Sequence, residues 1–392
     1  MRILFDHQAF SMQSHGGVSR CFAELYRYLP KSVEACISVK ETDNVYLRDM
    51  AVGVPVGYNY EHFIFPFNFP LKSRLFGIYN HIVKGMPYQS DNYSYFHEHE
   101  YNRLYSIETL KRGRYDIFHP TFFDDYFLPY LGNKPFVLTI HDMIPWIYSG
   151  IDNKNWKWQV EKMKNLAPKA AAIIAVSENT KNDIVRLLNV NEDRVHVIYH
   201  GCSFLHIDHS NPFFSKPYIL YVGDRKYYKN FDLFVENLVP VLKRYQELTV
   251  VCTGKSFCDE ELRLMEKYGV KDRFVQQWVA NDEEFYSLYH HAVCFVYTSE
   301  YEGFGIPILE AFQSDCPVML NKTSCFPEIA GDAAIYFEMN KMESNFAEQF
   351  EKMYSMTIQE RSLLLKKQRK CLEKYSWKKS AMQLARVYNS IS

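Results

Sequence analysis

The sequence predicts an α/β protein with two Rossmann-like domains and a cleft between them. Short apolar runs alternate with segments of helical periodicity along the 392 residues, and this alternation is typical of parallel sheets covered by helices on both faces. The alternation stops once, in a polar segment at residues 203–217 that contains Asn211-Pro212 and Lys216-Pro217, and then starts again. Two domains also suit this length, at roughly 100–200 residues per domain.

The first domain is predicted to span residues 1–205. Its expected strands lie at residues 2–6, 116–119, 136–141, 172–177 and 194–199. Helices are expected at residues 18–29 and at residues 178–188, where Ser177 is the predicted N-cap. An aromatic-rich insertion is predicted at about residues 40–115, because this part of the chain is dense in Tyr, Phe and His and has little periodicity.

The second domain is predicted to span residues 206–375. Its expected strands lie at residues 218–223, 248–253, 273–277, 291–297, 317–320 and 334–337, with helices at 232–245, 259–268, 282–290, 308–313 and 342–355. Residues 376–392 form one more predicted helix, whose apolar face consists of Trp377, Ala381, Leu384, Tyr388 and Ile391. Ligands of such domains bind at the carboxyl ends of the strands.

Composition narrows the class of protein. The 45 basic and 46 acidic residues nearly balance, so nothing indicates a nucleic-acid partner. The nine cysteines form no C-x-x-C pair, and an odd number of scattered thiols favours a reducing compartment over a disulfide framework. The amino-terminal apolar run is too short for a signal peptide, and no run approaches the roughly 20 residues of a membrane span. We therefore expect a cytoplasmic protein.

The most informative stretch is S-E-Y-E-G-F-G-I-P-I-L-E-A at residues 299–311. It places Glu302 and Glu310 on either side of a glycine-rich turn and a proline that suits the start of a helix. The first turn of a helix offers free N–H groups that attract phosphates or hydroxyls, and the two carboxylates can accept hydrogen bonds from a polyol. The alternative is a pair of glutamates at a loop and a helix start without a ligand.

This stretch resembles the E-x7-E region of the family-4 glycosyltransferases, which are retaining enzymes of the GT-B fold that transfer a sugar from a nucleotide diphosphate. The resemblance implies that Glu302 and the backbone amides after it hold the donor sugar, and that Glu310 binds the ribose hydroxyls. It covers nearly the whole chain except about residues 40–115, with further landmarks at residues 177–183, 325–334 and 375–377. In GT-B proteins the last helix commonly returns to the first domain, so residues 376–392 are expected to do so.

Three further motifs follow predicted strands. The loop G-D-R-K-Y-Y-K-N at residues 223–230 is cationic, and Arg225 and Lys229 resemble the Arg/Lys pair of the family. Arg225 stands one position later than the arginine of many members, because Asp224 directly follows Gly223. Fixed cations of this kind stabilise charge on a leaving diphosphate without a metal. His141 ends a strand and resembles the family histidine that contacts the donor sugar. Gly16-Gly17 precede a helix and resemble the glycine loop of the family.

The predicted site follows from these motifs. The predicted catalytic residues are His141, Glu302, Arg225 and Lys229. The predicted donor-binding residues are Gly17, Gly223, Gly303, Phe304, Gly305 and Glu310. The alternatives without a ligand are a structural role for His141 at its strand end and a solvent-exposed basic loop at residues 223–230. Glu328 is interpreted as a structural residue.

No metal and no cofactor are expected, because the sequence contains no D-x-D, H-E-x-x-H or G-x-x-x-x-G-K-[ST] motif. The resemblance implies front-face transfer, in which Glu302 orients the sugar without attacking it. The stretches at residues 223–230 and 140–145 look most like bacterial surface-polysaccharide mannosyltransferases that use GDP-mannose. The expected partners are therefore a nucleotide diphosphate sugar and a saccharide or lipid-linked acceptor, at the inner face of the cell membrane.

Other functions remain open at this point. They are a UDP- or dTDP-sugar-dependent transferase, a UDP-GlcNAc 2-epimerase or sugar phosphorylase of the same architecture, and a non-catalytic partner of another transferase. Nicotinamide oxidoreductase chemistry ranks last because the G-x-G-x-x-G pattern is incomplete. The aromatic-rich insertion is either packing on the first domain or a surface for acceptor or lipid, and His97-Glu98-His99 within it is a weak metal-binding pattern.

Overall fold

The computed structural model describes residues 1–53, 93–204, 207, 211–340 and 343–392. The predicted aromatic-rich insertion falls partly outside these residues. The side chains of residues 93–98 also lie outside the description, and they include the first two residues of the H-x-H pattern. Elements are numbered below in chain order over the described residues.

The first half of the chain forms a parallel sheet. Its strands are β1 (Arg2–Phe5), β2 (Glu34–Ile37), β3 (Ile117–His119), β4 (Val137–Ile140), β5 (Ala172–Ala175) and β6 (Val195–Val197). Two three-stranded groups have the orders β2-β1-β3 and β4-β5-β6, and a parallel bridge between Phe118 and Phe136 joins them. The order across this half is therefore β2-β1-β3-β4-β5-β6. All five predicted strands are present, each slightly shorter than expected.

The second half forms a six-stranded parallel sheet. Its strands are β7 (Tyr218–Tyr221), β8 (Thr249–Thr253), β9 (Phe274–Gln277), β10 (Cys294–Tyr297), β11 (Val318–Asn321) and β12 (Ile335–Phe337). They lie in the order β12-β11-β10-β7-β8-β9. Counted from β7, this is the 3-2-1-4-5-6 order of the Rossmann fold, in which ligands bind where the order reverses. That point lies between β7 and β10.

Helices cover both sheets. They are α1 (Gln8–Met12), α2 (Gly17–Tyr28), α3 (Val45–Asp49), α4 (Tyr93–Arg112), α5 (Ile144–Ile147), α6 (Lys154–Leu166), α7 (Glu178–Leu188), α8 (Phe231–Arg244), α9 (Asp259–Lys267), α10 (Asp282–His290), α11 (Ile306–Gln313), α12 (Phe326–Ala330), α13 (Phe346–Tyr354), α14 (Ile358–Leu372) and α15 (Trp377–Ile391). Neighbouring residues of β7 lie in separate clusters on opposite faces of the sheet: Leu220 packs with Phe295, and Ile219 packs with Phe234. Both faces are thus buried, as the apolar runs predict.

The last helix, α15, packs against α2 in the first half of the molecule. Trp377, Leu384 and Tyr388 are buried in the same cluster as Phe22 of α2. The segment after β6 also lies against the start of α15, because a Cβ on Gly201 would stand 2.3 Å from the backbone nitrogen of Trp377. The chain therefore crosses from the second half back to the first.

Several elements differ from the prediction. Strand β2 was missed because it is only four residues long and half of it is exposed, so it shows no apolar run. Helix α4 lies within the predicted insertion, and the long helices α6 and α14 were also missed. Helix α13 begins at Phe346 and not at residue 342.

Candidate active site

Two loops meet at the point where the strand order of the second sheet reverses. The first follows β7 and contains Gly223, which has a positive φ of 100° and open space where a Cβ would stand. The second follows β10 and runs from Ser299 to Gly305. Parallel strands place both loops at the same edge of the sheet, so the cationic loop and the glutamate loop come together there.

Lys229 and Glu302 form an ion pair between the two loops. The Lys229 ammonium donates to Glu302 Oε1 at 2.5 Å, and the Ser299 hydroxyl donates to the same oxygen at 2.7 Å. The backbone of Lys229 is also fixed, because the hydroxyl of Thr298 donates to its carbonyl oxygen at 2.6 Å. An ammonium group has three donors, so Lys229 can bind Glu302 and still donate to a phosphate.

Gly303 lies where the two halves of the molecule touch. A Cβ at this position would stand 1.8 Å from the carbonyl oxygen of His141, so no other residue fits without moving the backbone. The carbonyl oxygen of Gly303 accepts hydrogen bonds from the hydroxyls of Ser177 at 2.6 Å and of Thr180 at 3.2 Å. Both hydroxyls lie at the start of α7, where Ser177 caps the helix as predicted.

The backbone N–H groups of Gly303, Phe304 and Gly305 have no acceptor among the described residues. Gly305 has a φ of 89° and precedes α11, which carries a proline in its first turn. The loop thus places backbone N–H groups without acceptors directly before the start of α11, where such groups attract anions. The Phe304 ring is buried 5.0 Å from the His200 ring, so this side chain packs the loop and only its backbone faces a ligand.

Glu310 is buried on α11 and accepts a hydrogen bond from the Tyr289 hydroxyl at 3.0 Å. Burial raises the pKa of this carboxyl to about 7, although the Arg20 guanidinium and the Tyr289 hydrogen bond partly offset the shift. Arg20 pairs with Asp282 at 2.6 Å across the two halves, and its Nε is buried without a hydrogen-bond partner among the described residues. Arg20 was not predicted as a site residue. The sequence marks it only as a basic residue three positions after Gly17.

His141 follows β4 on the opposite side of the cleft. Burial lowers its pKa to about 4, so the imidazole is neutral near pH 7. Its Nε2 is buried and has no hydrogen-bond partner among the described residues. The next residue, Asp142, has a pKa raised to about 6, first by burial and further by Glu302, while Lys229 lowers it. His141 and Asp142 therefore adjoin the Lys229–Glu302 pair.

Arg225 takes a different position from Lys229. Its Nε donates to Glu261 at 2.9 Å, and its NH2 group donates to the carbonyl oxygens of Lys255 at 2.6 Å and Ser256 at 3.0 Å. The side chain is buried, and none of these partners belongs to the Lys229–Glu302 pair. In this conformation the guanidinium supports the loop after β8, and its predicted contact with a diphosphate stays a prediction.

Gly17 is the first residue of α2, and a Cβ there would meet nothing within 4 Å. Open space at a helix start is compatible with the predicted approach of a ligand. Glu328 has a different role: its two carboxylate oxygens accept from the backbone N–H groups of Glu178 at 2.7 Å and Asn179 at 3.1 Å, so it caps α7 from the other half of the molecule.

Comparison with known families defines the class. Residues 15–203 match the model described as Glycosyltransferase Family 4, and residues 206–372 match the model described as Glycosyl transferases group 1. Together these two models cover most of the chain. The protein therefore belongs to the glycosyltransferases of the two-domain GT-B type, and the predicted fold is confirmed.

Individual relatives place it near mannosyltransferases. The O-antigen chain mannosyltransferase B of Escherichia coli is 27% identical over 234 residues, which cover 56% of this chain and 61% of the relative. The O-antigen chain mannosyltransferase RfbU of Salmonella typhimurium is 27% identical over 215 residues, which cover 53% and 58%. The chain thus matches about three fifths of the length of these relatives.

A solved structure matches the whole chain. The Anabaena protein HepE, crystallised with UDP and glucose, has a TM-score of 0.70 and 16% identity, with 100% of both chains covered. At this identity the likeness shows the fold alone. No helix in the described part of the chain is long and apolar enough to cross a bilayer.

Proposed function

We propose that the protein is a retaining, metal-independent mannosyltransferase that uses GDP-mannose and extends a surface polysaccharide or its lipid-linked precursor at the inner face of the cell membrane. The observation that carries the proposal is the arrangement of one loop. Glu302, paired with Lys229, stands at its start, Glu310 stands one helix turn beyond its end, and unpaired N–H groups lie between them. The names of the two O-antigen relatives support mannose as the sugar.

Each residue then has a chemical role. Lys229 stabilises the negative charge that develops on the diphosphate as the glycosidic bond breaks, and Glu302 holds both Lys229 and the hydroxyls of the sugar. The leaving phosphate takes the proton of the acceptor hydroxyl on the same face. Neutral His141 exchanges a hydrogen bond with a sugar hydroxyl through Nε2, which has no partner among the described residues.

Glu310 is suited to the ribose of the nucleotide. As a carboxylate it accepts hydrogen bonds from both hydroxyls of a diol, whereas a protonated carboxyl accepts fewer. Its buried position and its bond to the Tyr289 hydroxyl fix the orientation of the carboxylate before the ligand arrives. The lack of a D-x-D motif in the sequence supports a mechanism in which side chains, and not a metal, hold the diphosphate.

The experiment is a calorimetric titration of the purified protein with GDP, UDP, dTDP and their sugar conjugates in the presence of EDTA. We expect selective binding of GDP and GDP-mannose, with loss of affinity in Glu310→Ala and Lys229→Met. The matched control is Lys226→Met, because Lys226 is an exposed cation of the same loop. Selective binding of UDP would instead favour a UDP-sugar transferase.

Two further results would change the proposal. A glycosyl adduct on Glu302, trapped with a slow donor analogue and detected by mass spectrometry, would replace front-face transfer with a covalent mechanism. Absence of binding to every nucleotide would favour a non-catalytic partner, and turnover of UDP-GlcNAc without an acceptor would favour an epimerase. Retention itself is tested by the anomeric configuration of the first-formed product in NMR.

A further inference from the structure

Three side chains with metal-binding atoms meet at the inner wall of the cleft. They are Cys21 on α2, His141 after β4 and His200 after β6, and one ligand atom from each lies within 4.8 Å of the other two. The sequence gives no sign of this group, because its members are separated by 120 and 59 residues (141 − 21 and 200 − 141). The folding of the first sheet brings them together.

The spacing fits a tetrahedral metal site. Zinc binds a thiolate at about 2.3 Å and an imidazole nitrogen at about 2.0–2.1 Å, so a tetrahedral angle places the two ligand atoms roughly 3.6 Å apart. Cys21 Sγ and His200 Nδ1 are 3.5 Å apart. The two atoms therefore have the separation that one shared ion requires, with the third ligand within the range of a side-chain rotation.

The two rings are neutral and can each offer a lone pair, because burial keeps the pKa of His200 well below its ordinary value and lowers that of His141 to about 4. Burial raises the pKa of the Cys21 thiol, so a zinc ion has to displace the thiol proton when it binds. His141 Nε2 has no partner among the described residues. A void of about 10 Å³ lined by Cys21 and His200 lies beside the group, and this is about the space that one water molecule needs.

We propose that Cys21, His141 and His200 bind a zinc ion, and that the bound ion inhibits the enzyme by withdrawing His141 from the donor sugar. One thiolate and two imidazoles form a donor set that suits zinc and excludes magnesium and calcium. His141 is less deeply buried than the other two, so it is the member of the group nearest to solvent. The metal site stands without the proposed transferase activity, whereas the inhibition rests on it.

The competing interpretation is a purely structural contact, in which the Cys21 thiol donates a weak hydrogen bond to His200 and no ion binds. This contact needs no particular spacing to His141. Substitutions that keep the shape of the site separate the two interpretations, because serine preserves a hydrogen bond to His200 but is a poor ligand for zinc.

The test uses the full chain after treatment with EDTA and removal of the chelator. Zinc affinity is measured by competition with a chromophoric chelator, and Co²⁺ is added separately as a spectroscopic probe. We expect a thiolate-to-cobalt charge-transfer band, and a loss of affinity of at least about tenfold in Cys21→Ser and in His200→Gln, since even changes around metal ligands cost about that much. Cys36→Ser is the control, because it removes an exposed thiol outside the group.

Each outcome decides one part of the proposal. Equal zinc affinity in Cys21→Ser and in the wild-type protein, or a Co²⁺ spectrum of the wild-type protein without the thiolate band, overturns the site. The second result does not depend on whether the variant folds. If zinc binds through Cys21 but leaves the affinity for the sugar nucleotide unchanged, the site stands and the inhibition is wrong. If the protein binds no sugar nucleotide at all, the proposed function fails while the cobalt spectrum still tests the site.

Discussion

Replacing Glu310 by glutamine is expected to change how the stability of the protein depends on pH. Burial raises the pKa of this carboxyl from 4.5 to about 7, so ionising it in the folded state costs about 3 kcal/mol at roughly 1.4 kcal/mol per pKa unit. The folded state holds the proton more tightly than the unfolded state does. The stabilisation that comes from the proton on Glu310 is therefore complete below pH 4.5, and it is lost as the pH rises to about 7.

The measurement compares urea unfolding of the wild-type protein and Glu310→Gln from about pH 5 to about pH 8. Asp142 and the buried histidines titrate in both proteins, so the difference between the two isolates Glu310. Glutamine keeps an oxygen for the Tyr289 hydroxyl. We expect the wild-type protein to lose roughly 3 kcal/mol relative to the variant as the pH rises, with no further change above about pH 8. A difference that stays constant with pH would refute the reasoning. The matched control is Glu283→Gln, which changes an exposed carboxyl on α10.

Three further outcomes are expected. Gly303→Ala places a Cβ against the His141 carbonyl oxygen. It should lower the free energy of unfolding in urea by about 1–3 kcal/mol and abolish binding of the sugar nucleotide. Unchanged stability and binding would contradict the close contact. Lys229→Met should lower the transfer rate about 10²–10³-fold while Lys226→Met leaves it unchanged, and equal effects would show that the loop acts only through its net charge. The affinity for the sugar nucleotide should rise with pH by up to about tenfold per unit below about pH 7 and then level off, because the proposed ribose contact requires the Glu310 carboxylate. Calorimetry should show no such dependence in Glu310→Gln.

Local signals explain what the sequence could predict. Most strands of the second sheet are buried apolar runs, whereas the edge strands β9 and β12 are only partly buried, and each of the six was located to within three residues at either end. The cap at Ser177 and the proline in the first turn of α11 are also local, because each acts on the next few residues of its own helix. Glu302 and Lys229 were predicted as parts of separate motifs, and the parallel sheet brings the ends of their strands together.

Contacts between distant segments could not be predicted. The partner of Arg225 is Glu261 on α9, 36 residues away, and no motif specifies that the guanidinium turns toward it. The pairing of Arg20 with Asp282 joins the two halves of the molecule over 262 residues. Strand β2 was missed for another reason: its alternate exposure leaves too few apolar positions to form a run.

The loop from Ser299 to Gly305, which is proposed above to bind the sugar donor, also makes the contact between the two halves, and this couples the two. The carbonyl oxygen of Gly303 accepts hydrogen bonds from the hydroxyls of Ser177 and Thr180, while the N–H groups of Gly303, Phe304 and Gly305 have no acceptor among the described residues. The carbonyl oxygen of Gly303 and the N–H of Phe304 belong to one rigid peptide unit. A sugar nucleotide that draws this N–H toward its phosphate therefore also moves the carbonyl oxygen. Breaking both hydroxyl bonds would cost about 2 kcal/mol, at about 1 kcal/mol each, or roughly thirtyfold in affinity. The loop can therefore bind its donor tightly only in positions that keep α7 in place, so the affinity of the second half for the nucleotide depends on the first.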